Sequence, residues 1–392
     1  MRLVVALSVL LPCALSAQEV KKAGGFHPGV DDAKVDQAIK KGVEFLRGKG
    51  SPGHAHSGAK HSDEFILWTF IHAGVSPGDA RYKAMLDRVL QDPLEQTYKV
   101  ALQAMCLEEL DRAKYQGRLW QCAQFLVDNQ CKNGQWSYGD PTEFVKDVPT
   151  GEIKKDTATG SPAKGGVRDF GTPEKKEKPR IVKKLPVKKM KDGPAAGDNS
   201  NTQYAALGIR ACHDAGIRFP EDVILLAVKW WMESQHAGVK ESGYGGVRGW
   251  NYKTEGGDKD GRGAYMSMTA GAVGSLCIYD YISGKDWKKS GTIKSGVNWV
   301  ASNFSVTENK GRPDPKDWYY YGLYAIERAG ILYDIDKFGD HDWYAEGAKH
   351  LLAIQQADGS WKGDSDTVWN TCFAILFLKR ATKALVATGD GR

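Results

Sequence analysis

Strand signals are nearly absent from the 392 residues, and after the first seventeen no stretch has the roughly 18 apolar residues that a membrane helix needs. A mainly β fold and a membrane-spanning bundle are therefore both poor readings. Nucleotide-binding signatures are missing too: there is no P-loop, and the glycine-rich stretch 238–263 does not spell G-x-G-x-x-G. No H-E-x-x-H occurs. Gly74-Val75-Ser76-Pro77-Gly78 has the G-x-S-x-G form of serine hydrolases, but it follows a helical pattern, and Pro77 removes the N–H that would serve an oxyanion, so it reads as a turn. A broad excess of one charge is also lacking. The net +6 comes from Arg2 and from residues 140–197, which hold fourteen Lys or Arg against nine Asp or Glu. The rest of the chain is neutral, which argues against a nucleic-acid-binding domain.

With 41% hydrophobic and 26% charged residues, the chain is expected to be globular. Its first seventeen residues, MRLVVALSVLLPCALSA, place a charge before a short apolar run and end in small residues, the pattern of a signal peptide, so export to the periplasm or the outside is expected. Residues 18–34 read as an N-terminal extension and 386–392 as a tail. The folded body is expected at 35–139 and 198–385. Between its halves, 140–197 contains seven prolines and the run EKKEKPRIVKKLPVKKMK, and reads as a disordered basic insertion. Docking to an acidic polymer or a protein partner is the functional alternative for this segment.

Internal repeats carry the most information. Five segments place a small residue three positions before a large apolar one that is followed by another: Gly42-Phe45-Leu46, Cys122-Phe125-Leu126, Ala227-Trp230-Trp231, Gly296-Trp299-Val300 and Ala348-Leu351-Leu352. Residues three apart share a helix face, so each segment predicts one amphipathic helix with a notch for a neighbour. More apolar helices follow, four with a Thr four and five positions before an aliphatic or small pair: Thr97-Ala101-Leu102, Thr202-Ala206-Leu207, Thr269-Val273-Gly274 and Thr371-Ile375-Leu376. Counting weaker matches, six helix pairs are predicted at 35–73, 80–112, 115–215, 220–283, 291–330 and 343–382. The last apolar helix, around NTCFAILFL at 370–378, has no polar face to cap an open solenoid. We therefore expect an all-α fold, a single closed (α/α)6 toroid with the apolar helices inside.

Three of the amphipathic helices end in Gln and a glycine-aromatic turn: Gln130 with Gly134-Gln135-Trp136, Gln356 with Gly359-Ser360-Trp361, and more loosely Gln235 with Gly243 to Gly246. This pattern resembles the QW repeat of squalene and oxidosqualene cyclases and the related repeats of protein prenyltransferase β subunits. The resemblance spans most of 35–382 and implies the toroid, with Gln capping helix-end carbonyls and Trp stacking under the next hairpin. It does not bring the reaction. The cyclase Asp-x-Asp-Asp-Thr motif is met by Gly363-Asp364-Ser365-Asp366-Thr367, which puts Ser365 in the proton donor's place. The prenyltransferase zinc ligands, an Asp, a Cys and a His, have counterparts in Asp366, Cys372 and His350 only outside their family contexts. The Cys-Gly-Glu-Gln of complement-type thioester domains is absent.

Site candidates follow from topology, since every outer-to-inner turn of such a ring opens on one face at the N-terminus of an inner helix. On that mouth Asp198, Asp364 and Asp366 are candidate acid–base groups, although a helix cap is the favoured role for each taken singly. Tyr204, Trp250, Tyr252, Tyr265, Asp317, Tyr320 and Trp369 are candidate contacts for an apolar or glycan ligand. No motif demands a cofactor. A divalent metal is the one candidate, on His54, His56, His61 and Asp63, imidazole and carboxylate being zinc ligands. Of the six cysteines after the leader, only Cys122 and Cys131 are placed for a local bridge. The expected function is a non-catalytic binding or scaffold module; the alternative is a carbohydrate-active or cyclase-like enzyme using the mouth carboxylates.

Overall fold

The computed structural model describes residues 27–49 (without 28), 63–142, 153–157, 178–236 (without 183), 246–252 and 263–385 (without 364). They form twelve α-helices in six hairpins: α1 (Asp32–Arg47) with α2 (Asp63–Ala73), α3 (Ala80–Gln91) with α4 (Thr97–Asp111), α5 (Gln116–Asp128) with α6 (Asn199–Asp214), α7 (Glu221–Glu233) with α8 (Met266–Ile282), α9 (Gly291–Ser302) with α10 (Tyr319–Tyr333), and α11 (Trp343–Ile354) with α12 (Thr367–Lys379). The even-numbered helices form an inner ring. Each packs on the next, α2 through to α12, and α12 closes back on α2. The odd-numbered helices form the outer layer, with α1 in the groove between α12 and α2, α5 between α4 and α6, and α11 between α10 and α12. The fold is thus an all-α toroid.

The sequence sorts helices into layers by how much of their circumference is apolar. In α1 the buried residues Val35, Ala38, Ile39, Val43 and Leu46 recur every three or four positions, leaving the opposite face to water. Inner helices are surrounded: α8 is buried continuously from Met266 to Tyr279.

The glycine-tryptophan turns tie one hairpin to the next. In three of them the backbone N–H of the tryptophan donates to the inner-helix threonine Oγ1, from Trp136 to Thr202, Trp250 to Thr269 and Trp361 to Thr371. The indole N–H of each then donates to its outer helix, at the carbonyls of Leu126, Trp231 and Leu351. Preceding glutamines reach outward: Gln130 Nε2 donates to the Val223 carbonyl on α7, Gln235 Nε2 to Thr292 on α9, and Gln355 Nε2 to Ala38 on α1. Two expectations are corrected here. At Gln130 and Gln235 the glutamine bonds the following hairpin's outer helix instead of its own; in the last repeat Gln355 does so, while Gln356 caps its own helix as expected, donating to the Ile354 carbonyl at the end of α11. Cys122 and Cys131 are buried free thiols with no bridge between them.

The expected disordered insertion is only partly loop-like. Within it β1 (Ile153–Thr157) pairs antiparallel with β2 (Pro179–Ile181), and β3 (Leu185–Pro186) pairs in parallel with β4 (Ile217–Arg218). Leu185 and Val187 are buried, the Trp120 indole N–H donates to the Pro186 carbonyl at 3.0 Å, and the Met190 N–H donates to Asp128. Residues 184–197 are therefore a strap on the body, because alternate residues of a basic stretch can turn inward while its lysines stay in water. Residues 143–152 and 158–177 lie outside the described part. A two-stranded ribbon, β5 (Lys337–Phe338) with β6 (His341–Asp342), leads into α11.

Candidate ligand-binding site

The N-terminal ends of the inner helices share one face of the ring. Tyr98 near the start of α4 bonds Ser200 near the start of α6, whose hydroxyl is 3.0 Å from the Tyr321 hydroxyl of α10. Phe65 of α2 and Trp369 of α12 meet edge-to-face at 6.1 Å. Side chains also bridge helices that are not ring neighbours: Ser200 reaches α10 past α8, and the Trp68 indole N–H of α2 donates to the Tyr324 hydroxyl of α10 past α12. Aromatic rings from three inner helices meet at this end of the ring, with Tyr204 between Tyr98 at 4.5 Å and Tyr321 at 6.4 Å.

The carboxylates on this face hold structure together. Asp198 is buried, and its two oxygens accept from the backbone and side-chain N–H groups of Asn201, both at 2.8 Å. Asp366 caps α12 through the N–H groups of Val368 and Trp369. Asp63 pairs with Arg88, and Asp317 with Arg312, whose guanidinium lies over the Tyr265 ring. The Tyr320 hydroxyl donates to the Lys362 carbonyl, and the Tyr252 carbonyl accepts from Asn199. Trp250 departs furthest from its expected role. Its ring sits in the notch at Gly296, so it is a third strut beside Trp136 and Trp361. Asp364, His54, His56 and His61 lie outside the described residues, and among the described residues no cluster of three or more His, Cys, Asp or Glu is placed to hold a metal.

A pocket opens at the opposite end, where the inner helices finish. It encloses about 550 Å³, open mouth included. Its apolar wall is Trp68, Met105, Leu207 and Ala211, with Tyr324 and Arg328 of α10 beside them. The last turns of α4 and α6 and the segment after α12 supply charges. Glu108 pairs with Arg112 at 2.6 Å and Lys178 at 2.8 Å; Glu109 pairs with Lys178 and Lys383; Asp214 faces Arg210 and accepts from the Tyr281 hydroxyl. Burial opposes charge on Glu109, but Lys383 and Lys178 outweigh it and hold the carboxyl at about 2. For Asp214 burial is likewise overcome by His213 and Arg210, which also hold it at about 2. The segment 381–383 forms one wall and is pinned twice. Arg210 donates to the Lys383 and Ala384 carbonyls, and both oxygens of buried Glu327 accept from Thr382. Burial raises the Glu327 carboxyl to about 7, against the lowering effect of those bonds.

Sequence reasoning placed the site at the mouth and did not single out this pocket. The available signal was Glu327-Arg328, a charged pair inside the otherwise apolar helix YYYGLYAIERAGILY, since charged residues are rarely fully buried without a specific partner.

No protein-family model matches the chain, and no curated protein matches it. Among solved structures, two variants of the type II terpene cyclase MstE from Scytonema are similar to it. One, in complex with the product merosterolic acid A, aligns with a TM-score of 0.47 and 12% identity; the other, in complex with the substrate geranylgeranyl dihydroxybenzoate, with 0.48 and 11%. Each alignment covers 89% of this chain and 97% of that one. Among the described residues no helix is long and apolar enough to cross a membrane.

Proposed function

We propose that the chain is a non-catalytic ligand-binding module, exported through its leader, that holds a small and largely apolar molecule in the pocket at the C-terminal ends of the inner helices. One observation carries this reading: the pocket offers an apolar wall, while each of the three carboxylates lining it is already committed to cations. A general acid or base works best with a pKa near the operating pH, and Glu109 and Asp214 are held far below it. At the other face both oxygens of Asp198 bind Asn201, and Asp366 caps its helix, which leaves the enzyme reading with less support. The mixed lining of a few polar groups on an apolar wall is usual for small-molecule sites.

The test is a titration of the full-length protein with benzyl alcohol, followed by ligand-observed NMR. Saturable binding is expected, and Ala211→Leu, which places a larger side chain in the pocket, should abolish it. Equal binding by the Ala211→Leu variant would put the ligand elsewhere and overturn the proposal.

A further inference from the structure

Arg328 is 2% exposed, lines the pocket, and belongs to no ion pair among the described residues. Its guanidinium is held in place by groups that carry no charge: Nη2 donates to Gln203 Oε1 at 2.8 Å, and the Tyr324 and Tyr204 rings lie 4.3 and 5.5 Å from its centre. The neighbouring carboxylate, Glu327, spends both oxygens on Thr382. Arg328 Nη1 is buried and has no hydrogen-bond partner among the described residues. Beside it, the Tyr324 hydroxyl accepts the Trp68 indole N–H, and no described acceptor takes its own proton. A buried cation with an open donor is costly unless an anion meets it, and guanidinium is the side chain whose geometry suits a carboxylate.

Building on the pocket reading above, we propose that Arg328 and Tyr324 form a carboxylate-recognition site, and that the ligand is a compact organic monocarboxylate. Its anionic head accepts from Arg328 Nη1 and the Tyr324 hydroxyl, and its apolar body lies on Trp68, Met105 and Leu207. The rim has no competing anion to offer Arg328, because Glu108, Glu109 and Asp214 are each held by their own cations. Nothing is transferred or oxidised; this is recognition alone.

Isothermal titration of the full-length protein with benzoate, benzyl alcohol and inorganic phosphate tests the assignment. Benzoate should bind at least tenfold more tightly than benzyl alcohol, and phosphate more weakly than benzoate. Arg328→Gln should remove the preference for the acid, so that within this variant benzoate binds no more tightly than benzyl alcohol, and Tyr324→Phe should reduce the preference several-fold. If Arg328→Gln does not fold, the Tyr324→Phe result and the preference in the unaltered protein decide. Equal binding of acid and alcohol would overturn the carboxylate site and leave the apolar pocket standing. Phosphate binding as tightly as benzoate would also overturn it, reducing the site to a general anion site. Binding of neither organic probe would overturn both the site and the pocket reading.

Discussion

The side-chain amide of Gln355 donates to the backbone carbonyl of Ala38, 2.9 Å away and 317 residues earlier in the chain. That bond joins the last hairpin to the first. Around it the turn at Gly359 presses on α1, and the Trp361 ring fills the notch left by Gly42. A ring made of hairpins is stable only if its two ends meet as well as its internal neighbours do, and the same Gln and Trp contacts recur inside the chain at Gln130 and Trp136.

Gly359 should therefore be intolerant of any side chain. Its φ is +87°, and a Cβ there would lie 2.3 Å from the Lys41 carbonyl oxygen, a backbone atom that cannot step aside. Gly284, at +68°, faces open space. Gly284→Ala is expected to cost about 1 kcal/mol from backbone strain alone. Gly359→Ala should cost at least twice that, read as the shift of the urea midpoint; equal costs would mean that the turn does not bear on α1.

Trp136 and Trp361 are struts, and Trp→Ala at either should cost about 3–5 kcal/mol. Trp361→Phe keeps most of the ring and loses the N–H, leaving the buried Leu351 carbonyl short of a donor, which should cost about 1–3 kcal/mol. Thermal unfolding of the pair of variants separates the packing contribution from the hydrogen bond. A Trp361→Ala protein of unchanged stability would contradict the strut.

The layers were legible in the sequence because burial leaves a periodic trace: six amphipathic and six apolar helices follow from where Gly42, Leu46, Thr371 and Ile375 fall along the chain. The partners of the glutamines were not legible, since Gln130 and Gln355 bond carbonyls on helices whose position depends on closure of the ring. The pocket was missed for a related reason. Glu108, Arg210, Arg328 and Lys383 lie on four separate segments, and each looks like an ordinary charge until the inner helices bring their C-terminal ends together. The capping role of Asp198 and Asp366 was legible, because an acidic residue just before an apolar helix is placed to accept its first N–H groups.

Leu185 tests whether the strap belongs to the core. It is 2% exposed within a lysine-rich stretch, and its backbone N–H donates to the Gly216 carbonyl. Leu185→Ala should destabilise the protein by about 2–4 kcal/mol, as at other buried leucines, whereas a solvated loop would give a change within about 0.5 kcal/mol. Met190→Ala, at an exposed neighbour on the same strap, is the matched control and should be near neutral.

The pH dependence of stability should be set in part by Glu64 and His72, two buried groups on the same helix that act in opposite directions. Burial raises the Glu64 carboxyl from 4.5 to about 7, and neither of its oxygens has a hydrogen-bond partner among the described residues. Between those values the folded protein keeps a proton that the unfolded chain has released, so this contribution is lost as pH rises through the window. Glu64→Gln, neutral at every pH, should remove that loss and stabilise the protein at pH 8 by about 2–3 kcal/mol relative to its effect at pH 4. Burial lowers His72 from 6.5 to about 3, with its ring edge-to-face on Trp68 at 4.0 Å. Below 6.5 the unfolded chain takes up a proton that the folded one refuses, so this contribution is lost as pH falls towards 3. Denaturant melts of the unaltered protein and of Glu64→Gln and His72→Gln at pH 4, 6 and 8 resolve the two slopes. Glu64→Gln should steepen the net rise of stability between pH 4.5 and 6.5, because it leaves His72 unopposed by its neighbour, and a profile parallel to that of the unaltered protein would show that Glu64 is charged in the folded state.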